Sequence, residues 1–129
     1  MASDISRVDS PELLAPASPF AHAVIDQDYV HLAGIVAADL QGGSYLVGNV
    51  AKEARAVMEA VSRILATHGL GMERVVRVLV HLIDLDELPT FDAAYGEFFG
   101  GKGFPARTAV QVGKLVAGCR VEVTVTARR

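Results

Sequence analysis

From Asn49 to Ile83 the chain reads NVAKEARAVMEAVSRILATHGLGMERVVRVLVHLI, and the hydrophobic period changes once within it. Up to His68 the apolar positions Val50, Ala54, Val57, Met58, Val61, Ile64 and Leu65 recur at three- and four-residue steps, the spacing of one helix face. Asn49 suits the N-cap, because its side-chain oxygen can accept a free backbone N–H, and Gly69 and Gly71 supply the stop. Lys52, Glu53, Arg55, Glu59 and Arg63 then fall on the solvent side. From Val75 to Ile83 β-branched and aliphatic residues take over. Val76, Val78, Val80 and Leu82 are expected on one face of a strand, with Arg77 and His81 on the other. One helix and one strand are thus required side by side, which puts the chain in a mixed α+β class.

The flanks extend this pattern. Residues through about Pro19 mix Ser and Asp with Pro11, Pro16 and Pro19, a composition that favours irregular backbone, so about residues 1–15 are expected to form an arm on a single domain spanning 1–129. Between Ala21 and Val36 two apolar runs flank Asp26-Gln27-Asp28, whose short polar side chains suit the tight turn of a β-hairpin. Ala38 to Gly48, with three glycines, reads as a loop. A second helix is expected near Leu88 or Pro89, because proline tolerates the first helical position; it would send Phe91, Tyr95 and Phe98 to the core and end at Gly100-Gly101. Two further strands, roughly Arg107 to Val112 and Arg120 to Ala127, complete the order β-β-α-β-α-β-β. No internal repeat is present.

Composition narrows the function. Hydrophobic residues make up 51% and charged residues 21% of 129, the balance of a compact globule. The excess of apolar residues in so small a domain also suggests buried subunit contacts. A net charge of -3 gives no footprint for a phosphate backbone, so nucleic acid is not expected as a partner. Cys119 is the only cysteine and cannot form an internal disulfide. Met1 to Ser10 is acidic where a secretory leader would be basic, and no apolar run approaches the roughly 20 residues of a membrane span. A cytoplasmic location without membrane contact is expected.

Chemistry is concentrated near the C-terminus. Glycines in Gly100-Gly101-Lys102-Gly103 permit close backbone approach, and Pro105 biases Phe104 towards extended backbone, steering the chain into the strand that Arg107 begins. A guanidinium at a strand edge offers a planar fork that fits a carboxylate, or it makes an ordinary salt bridge. Arg107 shares a strand face with Ala109 and Gln111. In the last strand Glu122, Thr124 and Thr126 alternate with Val121, Val123 and Val125, so Glu122 lies on the polar face, where it is either a solvated carboxylate or a base for a water. His22, His31, His68 and His81 lack metal-ligand spacing, and His31 and His81 read as packed or capping residues. No GxSxG elbow or phosphate loop occurs, and neither metal nor cofactor is expected.

The order of these blocks resembles the Rid (reactive intermediate deaminase, YjgF-like) family from about Pro16 to the C-terminus. Ala15-Pro16-Ala17-Ser18-Pro19-Phe20 looks like its proline-bearing loop, and Val30-His31-Leu32-Ala33-Gly34 its second strand. Val75-Val76-Arg77 through Asp84-Leu85-Asp86, followed by Tyr95-Gly96-Glu97-Phe98-Phe99, is similar to its central strand and second helix. Phe104-Pro105-Ala106-Arg107, with Val121-Glu122-Val123 at matching distance, is the strongest block. The resemblance implies a chorismate-mutase-like domain assembled as a barrel-like homotrimer with sites in the clefts between subunits. It also implies that Arg107 anchors the carboxylate of a small 2-imino or 2-enamino acid. Glu122 would position the attacking water, and hydrolysis would give a 2-keto acid and ammonia without a cofactor.

Several positions depart from the usual family pattern. A common tyrosine is Phe20, a glutamine after Gly34 is Ile35, a cysteine two residues after the arginine is Ala109, and an asparagine in the second helix is Asp92. With Arg107 and Gly34, the residues Phe20, Ile35 and Ala109 are the expected substrate contacts, in a site less polar than the family's. The leading expectation is imine/enamine deamination. Its alternatives are a pathway-specialised relative acting on another small carboxylic acid, and a non-catalytic trimeric carboxylate sensor or holdase. Ribonuclease activity, also described in the family, fits the acidic balance least.

Overall fold

The computed structural model describes residues 4–129. Eight regular elements occur in it: β1 Ser6–Val8, β2 Ala23–Ile25, β3 Tyr29–Leu32, α1 Val50–Thr67, β4 Val75–Leu82, α2 Leu88–Tyr95, β5 Ala106–Gln111 and β6 Val121–Arg128. They form one six-stranded sheet in the order β1-β2-β3-β6-β4-β5, with both helices packed on one face. All pairs are antiparallel except β4 and β5, which run parallel because α2 carries the chain back between them.

β1 corrects the expected order. It lies within the supposed arm, whose residues 1–3 are outside the described residues, and pairs Arg7 with Val24 on β2. The prolines that argue for irregular backbone begin only at Pro11, so residues 6–8 keep their N–H donors for the edge of the sheet. The β2–β3 turn forms as expected. Asp26 Oδ1 accepts the N–H groups of Asp28 at 2.8 Å and Tyr29 at 2.6 Å, a side-chain mimic of a backbone turn.

α1 follows its period closely. Asn49 is extended and its Oδ1 accepts the Lys52 N–H at 3.0 Å, while Val57, Met58, Val61 and Leu65 are fully buried. Each such side chain contributes about 1.5–3 kcal/mol of burial. Glu53 breaks the pattern: it is expected in solvent and is fully buried. It sits at the flank of the apolar stripe, where three backbone donors meet it. Its Oε2 accepts the Gly48 N–H at 2.7 Å, and its Oε1 accepts those of Arg120 at 2.9 Å and Val121 at 3.1 Å. A charge is buried only when it is satisfied in this way.

Two further differences arise from phase shifts. A bulge between Val75 and Arg77 puts Val75 in the core and leaves Val76 exposed; Val78, Val80 and Leu82 face inward as expected. After α2 the chain tightens into a 3₁₀ turn, Gly96–Phe99, which buries Phe99 in addition to Phe98, half-buried against the core as expected. Gly100 ends that turn at φ 60°, a conformation glycine adopts without strain.

Candidate active site

The pairing register decides which face each candidate occupies. Arg107 lies beside Val78, a fully buried residue, and therefore points to the helix face. Glu122 lies beside His81, which alternates with the buried Val80 and Leu82, and therefore points to the opposite face. One chain does not bring Arg107 and Glu122 together.

On the helix face, Arg107 borders a cavity of about 410 Å³ walled by Asp92, Tyr95, Gly96, Phe104 and Pro105. Asp92 and Tyr95 are three residues apart on α2 and so share a face. Arg107 Nη1 donates to Asp92 Oδ1 at 2.6 Å, and its Cζ lies 5.0 Å from the centroid of the Tyr95 ring. The ordinary salt bridge and the guanidinium fork beside a cavity thus coexist. Burial pushes the Tyr95 phenol up, against the lowering effect of Arg107, and its buried hydroxyl has no hydrogen-bond partner among the described residues. Phe104 is exposed and meets Phe99 edge-on at 5.7 Å, extending the aromatic wall.

On the other face, Glu122 borders a cavity of about 500 Å³ with Phe20, His22, Gly34, Asp39 and Val116 among its walls. Gly34 leaves room for the Glu122 side chain as it stands: a Cβ would lie 2.9 Å from Glu122 Cδ and 3.1 Å from Thr124 Oγ1, so the carboxylate would have to move. His81 Nδ1 approaches Glu122 Oε1 to 3.1 Å but is not aligned as a hydrogen bond, and this buried nitrogen has no other partner among the described residues. Burial raises the Asp39 carboxyl, opposed by His22. The expected contacts therefore divide: Phe20 and Gly34 join Glu122, whereas Ile35 and Ala109 line neither cavity. Ile35 is buried and bridges Val123, and Ala109 packs half-buried against the core.

Asp92 stood out in the sequence only as a departure from family pattern, and Tyr95 only as a core residue. Their three-residue spacing in a helix preceding Arg107 is the signal that could have placed them at the site. His81 looked like packing, and only the register puts it opposite Glu122. The remaining histidines have local partners: His31 Nε2 meets Asp26 Oδ2 at 2.8 Å, buried His22 accepts the Ser10 N–H at 2.9 Å, and His68 is the C-cap of α1. Among the described residues no group of three His, Cys, Asp or Glu side chains could hold a metal, and no helix is long and apolar enough to cross a membrane.

Comparison with known proteins gives a consistent result. The family described as Endoribonuclease L-PSP matches residues 11–129. A human protein named 2-iminobutanoate/2-iminopropanoate deaminase is 32% identical over 128 residues, covering 98% of this chain and 93% of its own. The mouse protein of the same name is 34% identical over 125 residues, covering 95% and 91%. Among solved structures, the YjgF gene product from E. coli superposes with a TM-score of 0.87 at 25% identity, covering 96% of this chain and 98% of the other.

Proposed function

The chain belongs to the Rid family, that of the L-PSP and YjgF proteins, and on that premise we propose that it is a hydrolytic deaminase of small 2-imino and 2-enamino carboxylic acids. The observation that carries this reading is Arg107: a permanently charged fork at the rim of an aromatic-walled cavity. The fork holds the substrate carboxylate and fixes the imine carbon in space. Water adds to that carbon as Glu122 takes its proton and passes it to the nitrogen. The hydroxyl of the resulting carbinolamine then gives up its proton by the same route as the C=O bond forms and the C–N bond breaks, releasing ammonia and a 2-keto acid. The imine carbon is already electrophilic, so orientation, one water and a proton path suffice.

Because Arg107 and Glu122 face opposite sides of the sheet, the working site requires two copies of the chain, the Arg107 cavity of one meeting the Glu122 cavity of the next. A homotrimer closes three such sites by rotation. The test is release of 2-keto acid from 2-aminoacrylate or 2-iminobutanoate generated in situ. Arg107→Ala and Glu122→Gln each abolish turnover, and mixed oligomers of the two restore it, since roughly a quarter of their sites regain both groups on random assembly. No rate above background, a rate indifferent to Arg107→Ala, or a monomeric mass at micromolar concentration overturns the proposal.

A further inference from the structure

The Arg107 cavity carries a second charge that the hydrolysis does not use. Asp92 Oδ1 occupies Arg107 Nη1, and no other hydrogen bond to the Asp92 carboxylate occurs among the described residues. In the single chain the side chain of Asp92 is 43% exposed and that of Arg107 24%, so the pair stands at the cavity mouth. An ion pair this exposed contributes little to folding stability. Its effect falls on what enters.

Among the described residues that one chain contributes to the lining, only Arg107 and Asp92 are charged, one positive and one negative. A simple carboxylate anion that reaches the remaining guanidinium donors must sit beside the Asp92 carboxylate, and like charges within hydrogen-bonding range repel. A ligand with a protonated nitrogen next to its carboxylate meets no such penalty. Its anion pairs with Arg107 and its N–H groups donate to Asp92, so each charge of the pair gains an opposite partner. Apolar walls of Tyr95, Phe104 and Pro105 lower the local dielectric and enlarge the difference.

We infer that Asp92 is a specificity-determining residue that makes the Arg107 cavity select zwitterionic carboxylates, those bearing an ammonium or iminium nitrogen at C2, over plain carboxylate anions. The inference rests on the proposed deaminase reading and deepens it: the protonated imine is held, and the 2-keto acid product, an anion, is repelled. Asparagine at this position would keep a hydrogen-bond acceptor and lose the charge, so Asp92→Asn isolates the electrostatic role.

The experiment is calorimetric titration of the purified oligomer with L-alanine and with pyruvate, which have the same carbon skeleton and differ at C2. The parent protein binds L-alanine about tenfold more tightly than pyruvate, and Asp92→Asn shifts that ratio at least about tenfold towards pyruvate. Arg107→Ala removes binding of both. A ratio that Asp92→Asn leaves within about twofold, or a parent protein that prefers pyruvate, overturns the role of Asp92 while leaving carboxylate anchoring intact. Binding of neither ligand, or binding indifferent to Arg107→Ala, overturns the anchoring and the inference with it.

Discussion

Replacing Glu53 by Ala orphans three backbone N–H groups, and their surroundings set the cost of each. Val121 is fully buried and its N–H cannot reach water, so it carries the full penalty of about 2 kcal/mol. Arg120 is half-buried and costs about 1 kcal/mol, whereas the exposed Gly48 rehydrates at almost no cost. The lost methylenes leave a small void worth about 1 kcal/mol. The expected destabilisation is therefore about 4 kcal/mol, a large share of the 5–15 kcal/mol typical of a domain. Glu53→Gln separates the contributions. Its amide oxygen can replace Oε1 and keep the Arg120 and Val121 bonds, while its NH₂ opposes Gly48, so it costs only about 1 kcal/mol. Urea unfolding followed by circular dichroism, at one fixed protomer concentration, measures both. An alanine variant within about 1 kcal/mol of the parent, or a glutamine variant as damaged as alanine, refutes the reasoning.

Three further outcomes follow from the geometry. A Cβ in Gly34→Ala would lie 2.9 Å from the present position of Glu122 Cδ, so the carboxylate is displaced and kcat for imine hydrolysis falls by an order of magnitude or more while KM changes little; an unchanged kcat contradicts the need for Glu122 at this position. The Asp26 carboxyl is held down to about 2, chiefly by its hydrogen bond to His31 and then by the N–H groups of Asp28 and Tyr29. Its folded value lies below the ordinary 3.8, so its contribution to stability is present above 3.8 and is lost as pH falls towards 2; His31→Ala returns the carboxyl part-way to 3.8 by NMR titration, and no movement contradicts the assignment. Cys119 is buried and burial pushes its thiol up, so a thiol reagent modifies it only in denaturant; rapid modification of the native protein would show that the β6 approach opens readily.

What can be read along the chain is whatever depends on residues two to four apart. The α1 period, its Asn49 cap, the Asp26 turn and the alternation of β6 all appear where their local chemistry puts them. The errors share a cause. Glu53 looked solvated because its partners, Arg120 and Val121, are more than sixty residues away. Val76 looked buried because a bulge has no signature in an unbroken run of β-branched residues, and the burial of Phe99 beside Phe98 is not legible because a 3₁₀ turn after α2 changes the angle per residue.

The candidate site divides along the same line. Phe104-Pro105-Ala106-Arg107 marks a guanidinium at the start of a strand, and Val121-Glu122-Val123 marks a carboxylate on a polar face, from sequence alone. That Asp92 and Tyr95 meet Arg107, that Gly34 makes room for Glu122, and that the two charged groups lie on opposite sides of the sheet are consequences of strand order and register. Alternation tells which residues share a face within one strand. Only pairing with β4 tells which of the two faces each strand presents to the helices, because that choice is made by burial over the whole sheet.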